Sequence, residues 1–287
     1  MECRISAVIM LLNPDCVGGM DNVPSIFVLT GGAAVVAVVG FVIVHRLAKP
    51  INLEEHQGFL DAMLSIVGTL VSIVLGLLVA AALDHYQDIV RSVDAEAASV
   101  TQIFRLSSGL PGDVQKTLHQ LCIDYCDEVI NEEWPAMARG ELSNKVLATY
   151  AQIVAEVVKF HPSNDGESNL HSALISAMQQ IGDCRRQRIL ALHSPWIGHL
   201  MPILLVCAAI VLAFTYLYVR RGAIFHAFLI GLVAIALGGN LGLVFVLSNP
   251  FSGDWRIPPR AFELNVKLLQ EVKSMPELYK LLHSVQE

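Results

Sequence analysis

The run Leu60-DAMLSIVGTLVSIVLGLLVAAA-Leu83 decides the fold. After Asp61 at its edge, no Asp, Glu, Lys or Arg interrupts it between Ala62 and Leu83. It exceeds the roughly 20 residues that a helix needs to cross a hydrocarbon core about 30 Å thick, and a buried helix of a soluble protein rarely runs so far without a charge. Nothing stops the helix at Leu83. From Asp84 onward the apolar residues Tyr86, Val90, Val93, Ala97, Val100 and Phe104 recur at intervals of three and four, the period of an amphipathic helix. One helix to about Ser108 is expected. At about 1.5 Å per residue it reaches about 73 Å, more than twice the hydrocarbon thickness, so its second half projects from the bilayer.

Three more stretches flank this one: Ile26 to Val44, Ile197 to Val219 and Ala223 to Leu247, each free of Asp, Glu, Lys and Arg. The whole chain fits them, with 54% hydrophobic and 16% charged residues and a mean hydropathy of +0.55. A net charge of −7 argues against nucleic acid as a partner, because phosphate binding needs clustered Lys and Arg that this chain lacks. Membrane lipids are the expected surroundings. The six cysteines (Cys3, Cys16, Cys122, Cys126, Cys184, Cys207) form no CxxC pair and do not read as a disulfide framework. Ile5 to Leu12, preceded by Glu2 and Arg4, is too short for a secretory leader and has no small-residue cleavage site behind it.

The expected organisation is an N-terminal segment over 1–23, membrane helices over 24–46, 60–83, 197–219 and 223–247, a water-soluble bundle over 84–196, and a C-terminal segment over 248–287. Pro24 and Pro250 punctuate the outer ends of the first and fourth membrane helices. In the bundle, Pro111-Gly112-Asp113 ends the long helix and Asp113 caps the next, striped by Val114, Leu118, Leu121, Tyr125 and Val129. Trp134-Pro135 is expected to stop that helix. A third follows Gly140 and Ser143 with Leu147, Ala151, Val154 and Val158 on its inner face. A fourth, from about Asn169 to His193, turns Leu170, Leu174, Ala177, Ile181 and Cys184 inward. The fold class is therefore all-α: four transmembrane helices with a helical bundle inserted between the second and third. Arg46, Lys49, Arg220 and Arg221 in the short loops argue for one orientation. More numerous arginines on the other side, Arg91 and Arg105 among them, argue for the reverse.

Asp61, Ser65, Thr69, Ser72, Gly76 and Ala80 share one face of the second membrane helix, opposite Leu, Ile and Val. Small residues every fourth position allow close helix packing. Hydroxyls without fixed charge also make a water-facing wall that solvates an ion without trapping it. In a symmetric oligomer both hold together. Gly238-Gly239-Asn240 in the fourth membrane helix marks a kink, a polar station or, as the first expectation, an interhelical hydrogen bond. Ionisable residues within the four spans are confined to Asp61, His199 and His226 near their ends, which disfavours active transport. Arg185, Arg186 and Arg188 precede the third membrane helix, either as headgroup anchors or as an electropositive vestibule for anions. His119, Cys122 and Cys126 have ligand-capable spacing at i, i+3 and i+7, but they border a core stripe where Cys is an ordinary buried residue, so no metal is expected. With no nucleophile elbow, phosphate loop, HExxH or paired carboxylates, neither enzymatic activity nor a cofactor is expected.

Glu96-Ala97, Arg105, Leu110-Pro111, Tyr125, Glu133-Trp134-Pro135, Met137 and Gly140, in that order, resemble a bacterial membrane family of unassigned function called bestrophin-like. The resemblance covers roughly residues 60 to 265. Asn249-Pro250-Phe251-Ser252-Gly253-Asp254 is similar to the Asn-Pro-Phe-Gly stretch after the last membrane helix of bestrophin chloride channels, where an acidic calcium-binding cluster follows. Here Asp254 is followed by Trp255-Arg256, a departure that disfavours calcium activation. The resemblance implies a homo-oligomeric chloride channel, pentameric, in the bacterial inner (plasma) membrane, with the bundle and both termini cytoplasmic. It makes the stripe of Ser65, Thr69, Ser72 and Gly76 the expected pore lining for small anions, and the polar station at Asn240 is a further pore-lining candidate. A non-conducting scaffold or sensor, whose bundle binds a partner, is the alternative.

Overall fold

The structure, a computed structural model, describes residues 24–47, 57–192, 196–217, 223–253 and 255–274. The expected N-terminal segment over 1–23, both short loops with Lys49, Arg220 and Arg221, and Asp254 lie outside the described residues. Among the described residues every regular element is helical. In chain order these are α1 (Pro24–Leu47), α2 (Gln57–Ser107), α3 (Gly112–Glu128), a π-helical turn (Val129–Glu133), α4 (Trp134–Met137), α5 (Asn144–Lys159), α6 (Asp165–Leu192), α7 (Trp196–Leu217), α8 (Ala223–Leu247) and α9 (Arg260–Ser274). The all-α class with four long apolar helices, the second of them extended, is the architecture observed. Two compact units divide the chain, one comprising residues up to Tyr86 with those from Ser194 to Asn249, the other Gln87 to His193 with the chain from Pro250.

The first unit is apolar. Gly58–Ser107 and Ile224–Leu247 are long and apolar enough to cross a membrane, and Thr30–Val44 and Met201–Tyr216 are shorter apolar helices. In the two long helices only 17% and 33% of the most apolar stretch is buried within the chain, unlike the core helix of a soluble protein. Ala37, Phe41, Ile230 and Ala234 form a buried cluster that Leu212 and Tyr216 extend. Tyr216 Oη donates to Ala37 O at 2.6 Å, which satisfies the phenol in apolar surroundings. Helix α8 approaches α1 closely at Gly238, where a Cβ would stand 2.9 Å from Ala33 Cβ and 3.6 Å from Thr30 Cα. Among the described residues of the single chain, Asn240 makes no interhelical bond. Its Nδ2 donates to Ala236 O at 2.8 Å, one turn back in its own helix, because that carbonyl is always within reach of a side chain at i+4.

The second unit is the bundle, with Phe104, Leu118, Tyr125, Ile153, Leu174 and Ile181 in its core. Helix α3 begins at Gly112 with Pro111 in the cap position and no side-chain cap; Asp113 lies inside the first turn rather than capping it. Trp134-Pro135 does not end this helix. The chain passes through the π turn, where Trp134 N–H bonds Val129 O five residues back, and the wider loop accommodates Pro135, which has no N–H to give, in the first turn of α4. The stop comes at Gly140. Its φ of +78° permits the paired bonds Glu141 N to Ala136 O and Gly140 N to Met137 O that close the helix end. At the start of α6, Asn164 Oδ1 accepts from Glu167 N at 2.8 Å while Glu167 Oε2 accepts from Ser163 N at 2.7 Å, a reciprocal cap.

The expected inner face of α5 is corrected. Val146, Thr149, Ile153 and Val157 are the buried residues, while Leu147 is 50% and Val158 61% exposed. Both stripes have helical spacing and aliphatic members. The hydroxyl of Thr149, seated on Glu128 Oε2, favours the first.

Candidate functional site

On α2, residues Ser65, Thr69, Ser72 and Gly76 fall on one face at i, i+4, i+7 and i+11, and all four are exposed. Thr69 Oγ1 donates to Ser65 O at 2.7 Å, so its proton serves the helix. Ser72 makes no such bond within the described residues, which leaves an outward hydroxyl able to donate to an anion. The neighbouring Ile66, Leu70, Ile73 and Leu77 are exposed as well, so α2 also presents an apolar surface. Asn240 on α8 is likewise exposed.

The arginines before α7, read as headgroup anchors or an anion vestibule, differ in exposure. Arg186 is exposed, but Arg185 is buried and Arg188 fully so. Arg188 Nε donates to Glu96 Oε2 at 2.9 Å and its Nη2 to Glu96 Oε1 at 2.8 Å, a two-pronged pairing. The same Nη2 reaches Glu133 Oε2 at 2.8 Å, and Arg185 Nη2 donates to the other oxygen, Oε1, at 2.6 Å. Tyr125 Oη donates to Glu96 Oε1 at 2.7 Å, and the Arg188 guanidinium lies 5.2 Å from the centre of the Trp134 ring. Two cations and two anions thus cancel out of contact with water. Burial alone would lower the Arg188 pKa, but the Glu96 and Glu133 carboxylates more than offset it and hold the guanidinium charged. Burial, reinforced by Glu96, pushes the Tyr125 phenol well up and keeps it neutral.

Sequence reasoning selected the arginines and missed their partners. Glu96 and Glu133 entered the sequence reading as members of the family motif, with nothing to pair them with Arg185 and Arg188.

The segment after α8 is fixed by aromatic contacts. Asn249 Nδ2 caps back onto Phe245 O at 2.8 Å. Pro250 O accepts from Ile257 N at 2.7 Å, closing the loop that starts with the buried Phe251. Trp134 meets Phe251 edge-on at 5.7 Å and Phe262 at 5.9 Å, and its Nε1 donates to Ile257 O at 2.8 Å.

No group of three or more His, Cys, Asp or Glu among the described residues is placed to hold a metal. His119 stacks on Phe104 at 3.7 Å and its Nε2 meets Phe104 O at 2.9 Å. Burial raises both Cys122 and Cys126, the latter to about 12, so the thiols stay protonated.

A search of curated proteins finds no match. Among solved structures, two variants of a bacterial bestrophin homolog from Klebsiella pneumoniae share this fold at 11% and 10% identity, with TM-scores of 0.61 and 0.62. They cover 85% and 87% of this chain and 98% of their own. A third structure, described as a membrane protein, matches at 12% identity over 87% of this chain and 97% of its own, with a TM-score of 0.61. At such identities the likeness concerns the fold. The sequence itself matches the model of the bestrophin-like domain over residues 31–262, and the chain belongs to the bestrophin-like family of membrane proteins.

Proposed function

We propose that the protein is a passive, homo-oligomeric anion channel, with chloride as its natural ion, in the inner membrane of a bacterium. The observation that carries this reading is the exposed, uncharged face of Ser65, Thr69, Ser72 and Gly76 on α2. Hydroxyl donors stabilise a passing anion, and the lack of a fixed charge between Ala62 and Leu83 lets it leave. One such face encloses water only when several copies surround a common axis, so the reading requires a closed ring, for which five copies is the natural expectation from the family. All four apolar helices then cross the bilayer, the bundle lies in the cytoplasm, Asn240 adds a polar station, and Arg186 repeats around the ring as an exposed positive charge. Asp254, with Arg256 close behind it, gives calcium no acidic cluster to hold.

The exposed Leu147 and Val158 favour a second reading, a scaffold or sensor whose bundle binds a partner through α5. Chloride flux from proteoliposomes separates the two. The channel reading expects flux from the native protein and a loss of at least tenfold in Ser72→Trp, with Ser72→Leu also reduced. Flux indifferent to Ser72→Trp assigns the wrong helix, and assembled protein without flux favours the scaffold.

A further inference from the structure

The chain passes between the two units three times, at Tyr86–Gln87, at His193–Ser194 and at Asn249–Pro250. Within the bundle, each of the three segments that begin or end there contributes to one buried cluster. The second half of α2 supplies Glu96, the end of α6 supplies Arg188, and the segment after α8 supplies Phe251 and the Ile257 carbonyl held by Trp134. Glu133 and Trp134 join them through the π turn, a widened geometry that recurs at functional positions. A buried ion cluster is a poor source of stability, since well-packed apolar residues usually serve as well; its best-attested use is to fix one arrangement among several. Among the described residues Arg185 Nε has no hydrogen-bond partner, while Arg185 and Arg188 divide the two oxygens of Glu133, so the cluster retains a donor for a second pairing.

We propose that the Glu96–Arg188–Glu133–Trp134 cluster is a coupling device that holds these three segments as one cooperative piece and thereby sets the resting state of the conducting pathway. The second half of that statement rests on the channel reading; the first does not. The test is hydrogen exchange on the full-length protein in detergent, comparing the native chain with the charge-neutral double variant Glu96→Met/Arg188→Met and with Trp134→Phe. The double variant keeps the buried volume filled and leaves Arg185 and Glu133 as a neutral pair, so it avoids the uncompensated buried charge that a single removal leaves. Exchange is expected to rise at least tenfold together over 87–107, 183–192 and 250–259, with α5 as protected as before. Trp134→Phe keeps a ring but loses the bond to Ile257 O, and loosens 250–259 alone. A rise confined to one segment in the double variant, an equal rise in α5, or no rise overturns the cooperative piece. In planar bilayers the double variant changes the open fraction at least threefold at unchanged unit conductance; an unchanged open fraction overturns the control of the pathway. A silent native protein overturns the channel reading instead, and with it the second half of the proposal, while exchange still decides the first.

Discussion

Glu96 occupies a fully buried position between Val93 and Val100, where an isolated carboxylate costs far more than a bundle can bear. Arg188 makes it tolerable, and the dependence is mutual. Arg188→Met alone is expected to lower stability by about 3–5 kcal/mol, because it leaves charge buried and uncompensated, whereas Glu96→Met/Arg188→Met loses less, about 1–3 kcal/mol, through the Tyr125 hydroxyl left without its acceptor. Chemical denaturation of the two variants in parallel checks this. Titration gives a second residue-scale expectation. Burial raises Cys126 from an ordinary 9.0 to about 12 and raises Cys122 and Tyr125 in the same direction. Above pH 9 the unfolded chain therefore releases protons that the folded chain retains, and stability, fully present below that pH, declines as the pH climbs toward 12. Melting temperature recorded from pH 7 to 11 should fall from about 9 upward, and Cys126→Ala should fall less. The partners of Arg188 were not legible, because helical spacing reports neighbours three and four residues away and these pairs bridge helices far apart in the chain.

Most helices were legible at the level of elements, from apolar length in the membrane unit and from helical period in the bundle; α9 was read only as part of a C-terminal segment, although Phe262, Asn265 and Leu269 are buried along it. Helix α2 runs to Ser107 as its stripe requires. What failed were choices between nearly equivalent signals. On α5 two aliphatic stripes compete, and the packing partner decides. At Trp134-Pro135 the usual meaning of proline yields to a π turn, which no local periodicity announces. Two glycines carry the consequences of geometry. Gly140 holds a left-handed φ of +78°, so Gly140→Ala should cost about 1 kcal/mol. Exposed Gly112, with open space where a Cβ would stand and an ordinary helical start, should accept alanine with no such loss. Gly238 is constrained instead by contact, with Ala33 Cβ 2.9 Å from where its own would stand. Gly238→Val should force α8 away from α1 and lower the melting temperature in detergent, while Gly231→Ala, facing only Val38 at 3.7 Å, should not.

At the scale of the whole molecule, composition already separated an apolar unit from a bundle, because lipid and water select different residues. Assembly was not legible, since a single chain shows a polar face and not what it encloses. The channel reading turns that gap into an expectation. In a cysteine-free background, Ser72→Cys should react with a water-soluble thiol reagent in the assembled protein, and Leu77→Cys, about 140° around the same helix, should not. Equal protection of both would mean that the polar face is sealed against protein.

The neutral, water-excluding character of the Arg188 cluster carries one more implication. Surface pairs such as Arg91 with Asp88, or Lys145 with Glu132, weaken as dissolved electrolyte rises. Arg188, Glu96 and Glu133 are fully buried, and buried pairs are screened far less. On the channel reading, any sensitivity of conduction to salt then arises outside this cluster, at exposed charges such as Arg186.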